Sequence, residues 1–196
     1  MSTTQKKKRL PPGQRETTGF PVLQKADVHH IDRTKYTLQI LGEVTHPRTF
    51  TLQELESLIE PERIVDIHCV TSWSKFDTKW AGISFQTLFK LVEPTPDAHF
   101  LEFYCADGGF TTTVPITACA DPNTMIALRY DGQPLTDAHG GPVRTLFPDL
   151  YFYKSAKWLT EIRFLKTDNP GYWERGGYSN KADPWKNQRY TADDEE

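Results

Sequence analysis

Cysteine is scarce: three residues in 196, at positions 69, 105 and 119, separated by 36 and 14 residues. An odd count at such spacings gives no disulfide framework and fits a reducing compartment, so the cytoplasm is the expected location. There is no Cys-x-x-Cys and no His-x-x-x-His pair, which excludes a closed structural zinc site. Gly-x-x-x-x-Gly-Lys-Ser/Thr is missing, so no phosphate-binding P-loop is present. No apolar run approaches the roughly 18 residues of a membrane helix. Residues 1–20 have neither the hydrophobic core of a signal peptide nor a twin-arginine pair. The net charge is only −3. It hides opposed ends: residues 1–19 hold Lys6, Lys7, Lys8, Arg9 and Arg15 against Glu16, net +4, and residues 193–196 are four acids. The basic run has no interleaved aromatics, so nucleic acid is not an expected partner.

What is present suits one loop-rich globular domain. Aromatics make up 12% of the chain, and 14 prolines with 12 glycines punctuate many short elements. The expected organisation is a disordered basic leader over 1–19, one domain over 20–190 and an acidic tail over 191–196. Residues 36–42 alternate and end in glycine, as a half-buried strand does. Thr51-Leu52-Gln53-Glu54 has the spacing of a capping box and opens a short helix at about 51–59. Residues 62–70 read as a strand, 84–92 as a helix, and 99–105 with 110–114 as a hairpin turned at Asp107-Gly108-Gly109. Strands follow at 125–130, 143–147 and 158–165, whereas 169–190 is aromatic and polar without a period. Strands outnumber short helices, which predicts an α+β or mostly-β domain with mixed sheets.

Cys69 stands at the carboxyl end of the apolar run Ile64-Val65-Asp66-Ile67-His68-Cys69, before the polar, aromatic Val70-Thr71-Ser72-Trp73. The chain is expected to leave the strand there, where sheets gather reactive groups, and a thiolate at that point serves as a soft metal ligand or a nucleophile. Cys105 and Cys119 lack that setting and are expected to pack. In His139-Gly140-Gly141-Pro142-Val143-Arg144 the glycines let backbone approach a ligand, and Arg144 can grip phosphate. In Tyr153-Lys154-Ser155-Ala156-Lys157-Trp158 two ammonium groups and a hydroxyl can surround an anion. His29 and His30 lead into the first strand, where lone histidines are usually solvated.

Together these segments resemble the molybdopterin-binding domain of the sulfite oxidase family, particularly its small bacterial members, over about residues 20–190. The resemblance rests on residues 66–74, on 139–144 with Pro148, on Lys154-Ser155-Ala156-Lys157-Trp158, and on 170–178 with Asp183-Pro184-Trp185. It implies that family's α+β fold of mixed sheets with short helices, a molybdenum–molybdopterin cofactor, and two-electron oxygen-atom transfer on a small oxyanion, S-oxide or N-oxide. It further implies Cys69 as the molybdenum ligand. His139, Arg144, Ser155, Ala156 and Lys157 would hold the pterin and its phosphate, with His68 beside the cysteine and His29 or His30 from the first loop. Substrate would approach near Asp107, the expected catalytic carboxylate, or near Tyr104 or Trp73. An electron-transfer partner of unidentified kind is implied as well. The arginine-bearing stretch that follows the cysteine in true sulfite oxidases is replaced by Val70-Thr71-Ser72-Trp73-Ser74-Lys75, which argues against sulfite. Two other readings stay open: a pterin-binding module without turnover, and a hydrolase with Cys69 as nucleophile and His139 as base.

Overall fold

The computed structural model describes residues 9–25 and 27–195. Eleven strands form two mixed sheets: β1 Arg15–Glu16, β2 Thr37–Gly42, β3 Arg48–Thr51, β4 Arg63–His68, β5 Trp73–Ser84, β6 Phe100–Cys105, β7 Thr111–Pro115, β8 Met125–Tyr130, β9 Gln133–Pro134, β10 Arg144–Leu146 and β11 Leu159–Leu165. Three short α-helices complete the set, α1 Leu52–Ser57, α2 Phe85–Val92 and α3 Tyr172–Arg175. The expected α+β class with mixed sheets and short helices is what the chain adopts.

One sheet runs β3-β2-β11-β6-β7, with β11 parallel to β2 and antiparallel to β6. The predicted hairpin is its β6–β7 edge, with Tyr104 opposite Thr111. The other sheet runs β1-β5-β8-β10, with β4 on β5 and β9 on β8. The main core lies between them and joins Leu38, Ile40, Phe50, Phe85, Phe103, Ile126, Phe147 and Phe164, all at most 1% exposed. Cys119 belongs to this core and Cys105 packs against it, as expected of structural thiols. A second cluster gathers Ile67, Cys69, Trp73, Trp80 and Leu146 on the β4–β5–β8 side.

The capping box of α1 forms as predicted: Thr51 Oγ1 accepts from Glu54 N, and Thr51 N donates to Glu54 Oε2 at 2.7 Å. Two expectations are corrected. First, the chain after Cys69 does not leave the sheet; it turns over Cys69–Ser72 and returns antiparallel as the 12-residue β5. Asp77, with φ 53°, and bulges in both of its antiparallel pairings interrupt the alternation that would reveal a strand. Second, the leader is packed from Arg9 onward. Arg9 bridges Asp66 and Asp77, with Nε to Asp66 Oδ2 at 2.8 Å and Nη2 to Asp77 Oδ1 at 2.7 Å, and β1 pairs with the start of β5. Residues 1–8 lie outside the described residues. The acidic tail folds back as a single 3-10 turn over Thr191–Glu195, where Asp193 accepts from Arg189 N and Asp194 from Asn180 N.

Candidate active site

A cavity of about 280 Å³ opens between the Cys69 turn, the 139–144 loop, the 153–158 segment and the 20–25 segment. Cys69 reaches it because β4 ends at His68 and the chain reverses within three residues. Ser72 N donates to Cys69 O at 3.0 Å and Cys69 N to Trp73 O at 2.8 Å, with Ser72 at φ 73°. The thiol is 7% exposed and its sulfur lies 3.1 Å from Thr71 Oγ1. Burial raises its pKa, against the lowering pull of Thr71 and Arg189, so the bare thiol stays protonated.

Arg144 enters from β10 and is 1% exposed. Among the described residues its guanidinium donates only to backbone carbonyls: Nη1 to His139 O at 2.9 Å, Nη2 to Ser155 O at 2.8 Å and Nε to Thr145 O at 3.3 Å. The planar group lies over Phe152 at 4.4 Å. Burial pushes its pKa down to about 9, so it remains cationic at neutral pH. Lys157 donates to Ala138 O at 2.8 Å, and burial first, then the charge of Arg144, lowers it to about 7. Gly140, at φ 92°, is the residue that lets the loop sit on Lys157, since a Cβ there would fall 2.7 Å from the Lys157 Cβ. His139 stacks on Phe20 at 4.0 Å, and burial with Arg144 and Lys157 lowers it to about 4, which keeps the imidazole neutral. Its Nδ1, like Trp73 Nε1, is buried without a hydrogen-bond partner among the described residues.

Cys69, Asp107, His139, Arg144, Ser155 and Lys157 thus meet at one cavity. Ser155 acts there mostly through its carbonyl, which holds Arg144, because its Oγ accepts from Phe147 N at 3.0 Å. Asp107 caps its own turn by accepting from Phe110 N at 3.1 Å. Trp73 lines the cavity, whereas Tyr104 faces elsewhere and donates to Glu102 at 2.7 Å.

Other expected contributors are not brought to it. His68 is buried on the opposite side of β4, with Nδ1 2.8 Å from Ser74 Oγ and its ring edge-on to Trp185. Its neighbour Cys69 points to the cavity, and adjacent strand residues face opposite sides. The Ala156 N–H is spent on the Thr145 hydroxyl, Oγ1, at 2.7 Å. His29 lies edge-on to Trp158 and His30 pairs with Asp137 at 2.7 Å, both beside a separate open groove. Lys154 holds no anion in the cavity: it is fully buried against Glu174, Thr113 O and Asn180.

Several wall residues were not singled out by the sequence. Phe20 stacks on His139, Lys25 lies over Tyr172 at 4.8 Å, and Trp173 packs on Tyr178 at 5.3 Å. The aromatic density of 172–178 was a usable signal for the last pair, but a lone lysine in a loop carries none. Among the described residues, Lys25, Arg144 and Lys157 share the cavity lining with a single carboxylate, Asp107, so the cavity favours an anion. A nucleophilic cysteine pair is not built here, because the Cys69 sulfur is bonded to Thr71 and not to His139.

Comparison with known proteins identifies the family. The family model described as the oxidoreductase molybdopterin binding domain matches residues 25–173. The uncharacterized oxidoreductase YuiH of Bacillus subtilis (strain 168) is 41% identical over 186 residues, covering 94% of this chain and 93% of that protein. The putative protein-methionine-sulfoxide reductase subunit YedZ1 of Azospira oryzae is 31% identical, covering 78% of this chain and 58% of its own. The catalytic subunit MsrP of a protein-methionine-sulfoxide reductase from Burkholderia mallei is 29% identical, covering 74% and 50%. The chain therefore spans little more than half the length of these reductase subunits. Among solved structures, the sulfane dehydrogenase SoxCD of Paracoccus pantotrophus superimposes with a TM-score of 0.63 at 19% identity, over 78% of this chain and 43% of that one, which shows the shared fold. The chain belongs to the molybdopterin-binding oxidoreductase family, the sulfite oxidase family its motifs resemble, and is a molybdenum cofactor-dependent oxidoreductase.

Proposed function

We propose that this oxidoreductase carries out two-electron oxygen-atom transfer on a small S-oxide or N-oxide, the oxygen atom moving one way as two electrons move the other. In this reading Cys69 is the protein ligand of molybdenum, and Arg144, Lys157 and His139 hold molybdopterin. The observation that carries it is Arg144: a fully buried cation with no carboxylate among its described partners, in one cavity with a thiol. Such a charge is costly unless something anionic compensates it. A phosphate does so and takes up the guanidinium N–H groups left over from the three carbonyls.

The remaining donor set fits the same group. The unpartnered His139 Nδ1 and Trp73 Nε1 are satisfied by the polar edge of a bound ligand, since buried polar atoms rarely stay unpaired. A soft metal ion converts the buried thiol to the thiolate that burial alone disfavours. Molybdopterin supplies the two-electron oxo-transfer chemistry when bound. The chain's own part is to neutralise the phosphate with Arg144 and Lys157, to orient the pterin through neutral His139, and to exclude water with Phe20, Trp73 and Trp173. Asp107 lies at the same cavity and is the one carboxylate that lines it among the described residues, which places it beside an approaching substrate.

Three features favour an S-oxide over sulfite. No arginine stands in residues 70–75 directly after Cys69, the cavity lining is aromatic, and relatives carry the name of methionine-sulfoxide reductases. The three free thiols support a reducing cytoplasm as the place of work, with a separate redox protein exchanging the electrons. The test is a screen of molybdenum-loaded protein. Dithionite-reduced samples are offered methionine sulfoxide, dimethyl sulfoxide and trimethylamine N-oxide, and oxidised samples are offered sulfite with ferricyanide. Reoxidation by an S- or N-oxide supports the reading. Turnover of sulfite alone contradicts the substrate, and loaded protein that turns over nothing leaves the pterin-binding module.

A further inference from the structure

The Cys69 turn is held from outside the family-matched span, by the two ends of the chain. Gln14 Nε2 donates to Cys69 O at 3.0 Å, Arg15 N donates to Ser72 O at 3.1 Å, and Arg189 Nη1 donates to Val70 O. Three of the four carbonyls of the turn thus take a donor from residues 14–15 or from Arg189, whereas the family model matches 25–173.

Both donors are themselves fixed. Gln14 is 8% exposed, and its Oε1 accepts from Ser74 Oγ, which also meets His68 Nδ1. Arg189 lies over the Tyr151 ring at 5.0 Å, its Nε donates to Asn187 Oδ1 at 2.9 Å, and its own N–H is taken by Asp193. Gly13 admits the guanidinium closely, since a Cβ there would stand 3.3 Å from Arg189 Nη2. The two ends therefore meet each other as well as the turn.

We propose that Gln14, Arg15 and Arg189 form a clasp that positions the Cys69 turn, and through it the direction of the cysteine sulfur toward the cavity. The inference rests on the reading of Cys69 as the molybdenum ligand. Each is a positioning residue, acting on the carbonyls of the turn and not on the ligand. Hydrogen bonds from fixed side chains to a turn raise the free energy of its local opening, while the core beneath is left intact. A ligand held this way keeps one orientation through a redox cycle, as residues behind metal ligands do in other sites.

The test has two readouts on the full chain. Alkylation of Cys69 by iodoacetamide, followed by mass spectrometry of its peptide in protein prepared without molybdenum, reports opening of the turn. The electron paramagnetic signature of the half-reduced metal in loaded protein reports the sulfur's orientation. Gln14→Leu and Arg189→Gln should each speed alkylation by about tenfold and shift the signature. Arg189→Lys, which can still donate to Val70 O, should recover most of both. Leu101→Ala, a destabilising change in the distant core, serves as control and should alter neither. The clasp is overturned if Gln14→Leu and Arg189→Gln leave alkylation and signature at wild-type values, or if Leu101→Ala moves them as far. If wild-type protein takes up no molybdenum, the cysteine-ligand reading fails while the alkylation rates still decide the clasp.

Discussion

At the scale of single residues, the account turns on two cations that burial would rather discharge. Arg144 must satisfy three carbonyls and still face an anion, which a planar fork does and a single ammonium does not. Arg144→Lys is therefore expected to lower pterin retained through gel filtration by about 10- to 100-fold, the loss usual for support residues of a cofactor site. Pterin fluorescence measures it. Lys157 gives a pH dependence with a definite sign. It titrates near 7 in the fold and at its ordinary 10.5 when unfolded, so between those values the unfolded chain binds the extra proton. Cofactor-free protein should gain stability as pH rises from about 7 toward 10.5, and Lys157→Met should flatten that slope in urea titrations. Inorganic phosphate should bind in the opposite sense, more weakly as pH rises through about 7. Cys69, His139, Arg144 and Lys157 were legible in the sequence because each sits beside glycine or at a strand end. Lys154 was not separable from Lys157. The two differ by which side of the 153–158 segment they face, and the partner that buries Lys154, Glu174, lies twenty residues away.

At the scale of elements, the turn joining β4 to β5 decides whether a cysteine at a strand end becomes a ligand. Ser72 adopts a left-handed conformation there, φ 73°, which a branched side chain resists. Ser72→Val should cost about 1–2 kcal/mol in chemical denaturation, by the usual penalty of that conformation. The short helices and the β6–β7 hairpin could be read from spacing, since caps and Asp-Gly turns are local signals. β5 could not. Its first half is half-exposed, with charged Lys75, Asp77 and Lys79, and its second half is buried on both faces from Trp80 to Ser84, so no single period runs through it. The termini misled for a related reason. A basic leader and an acidic tail have the composition of solvated chain, and their order comes from particular partners: Asp66 and Asp77 accept from Arg9, and Asp193 and Asp194 accept from Arg189 N and Asn180 N.

At the scale of the molecule, the aromatic segment that walls the cavity is tied to the β7 edge of the β3-β2-β11-β6-β7 sheet through a buried pair. Lys154 Nζ and Glu174 Oε1 lie 2.5 Å apart at side-chain exposures of 0% and 1%, with Thr112, Thr113 and Asn180 completing the network. Lys154→Met leaves that carboxylate buried alone and should cost about 3–5 kcal/mol. Pairing it with Glu174→Leu should restore most of the loss, which melting of both variants checks. The fold class was visible in the alternation of short strands and shorter helices, and the site class in the order of three motifs. Which histidines reach the cavity was not, because loop contacts with Trp158 and Asp137 place His29 and His30 and strand pairing places His68, and no local pattern encodes either. The central claim is that Cys69 binds molybdenum in a pterin site held by Arg144 and Lys157. Metal and pterin analysis of wild-type protein and Cys69→Ser, both from a molybdenum-replete host, tests it most directly. The account predicts equimolar pterin and molybdenum in the wild type, and in Cys69→Ser retained pterin with oxo-transfer lost. Wild-type protein free of both, or a Cys69→Ser protein with unchanged turnover, would contradict it.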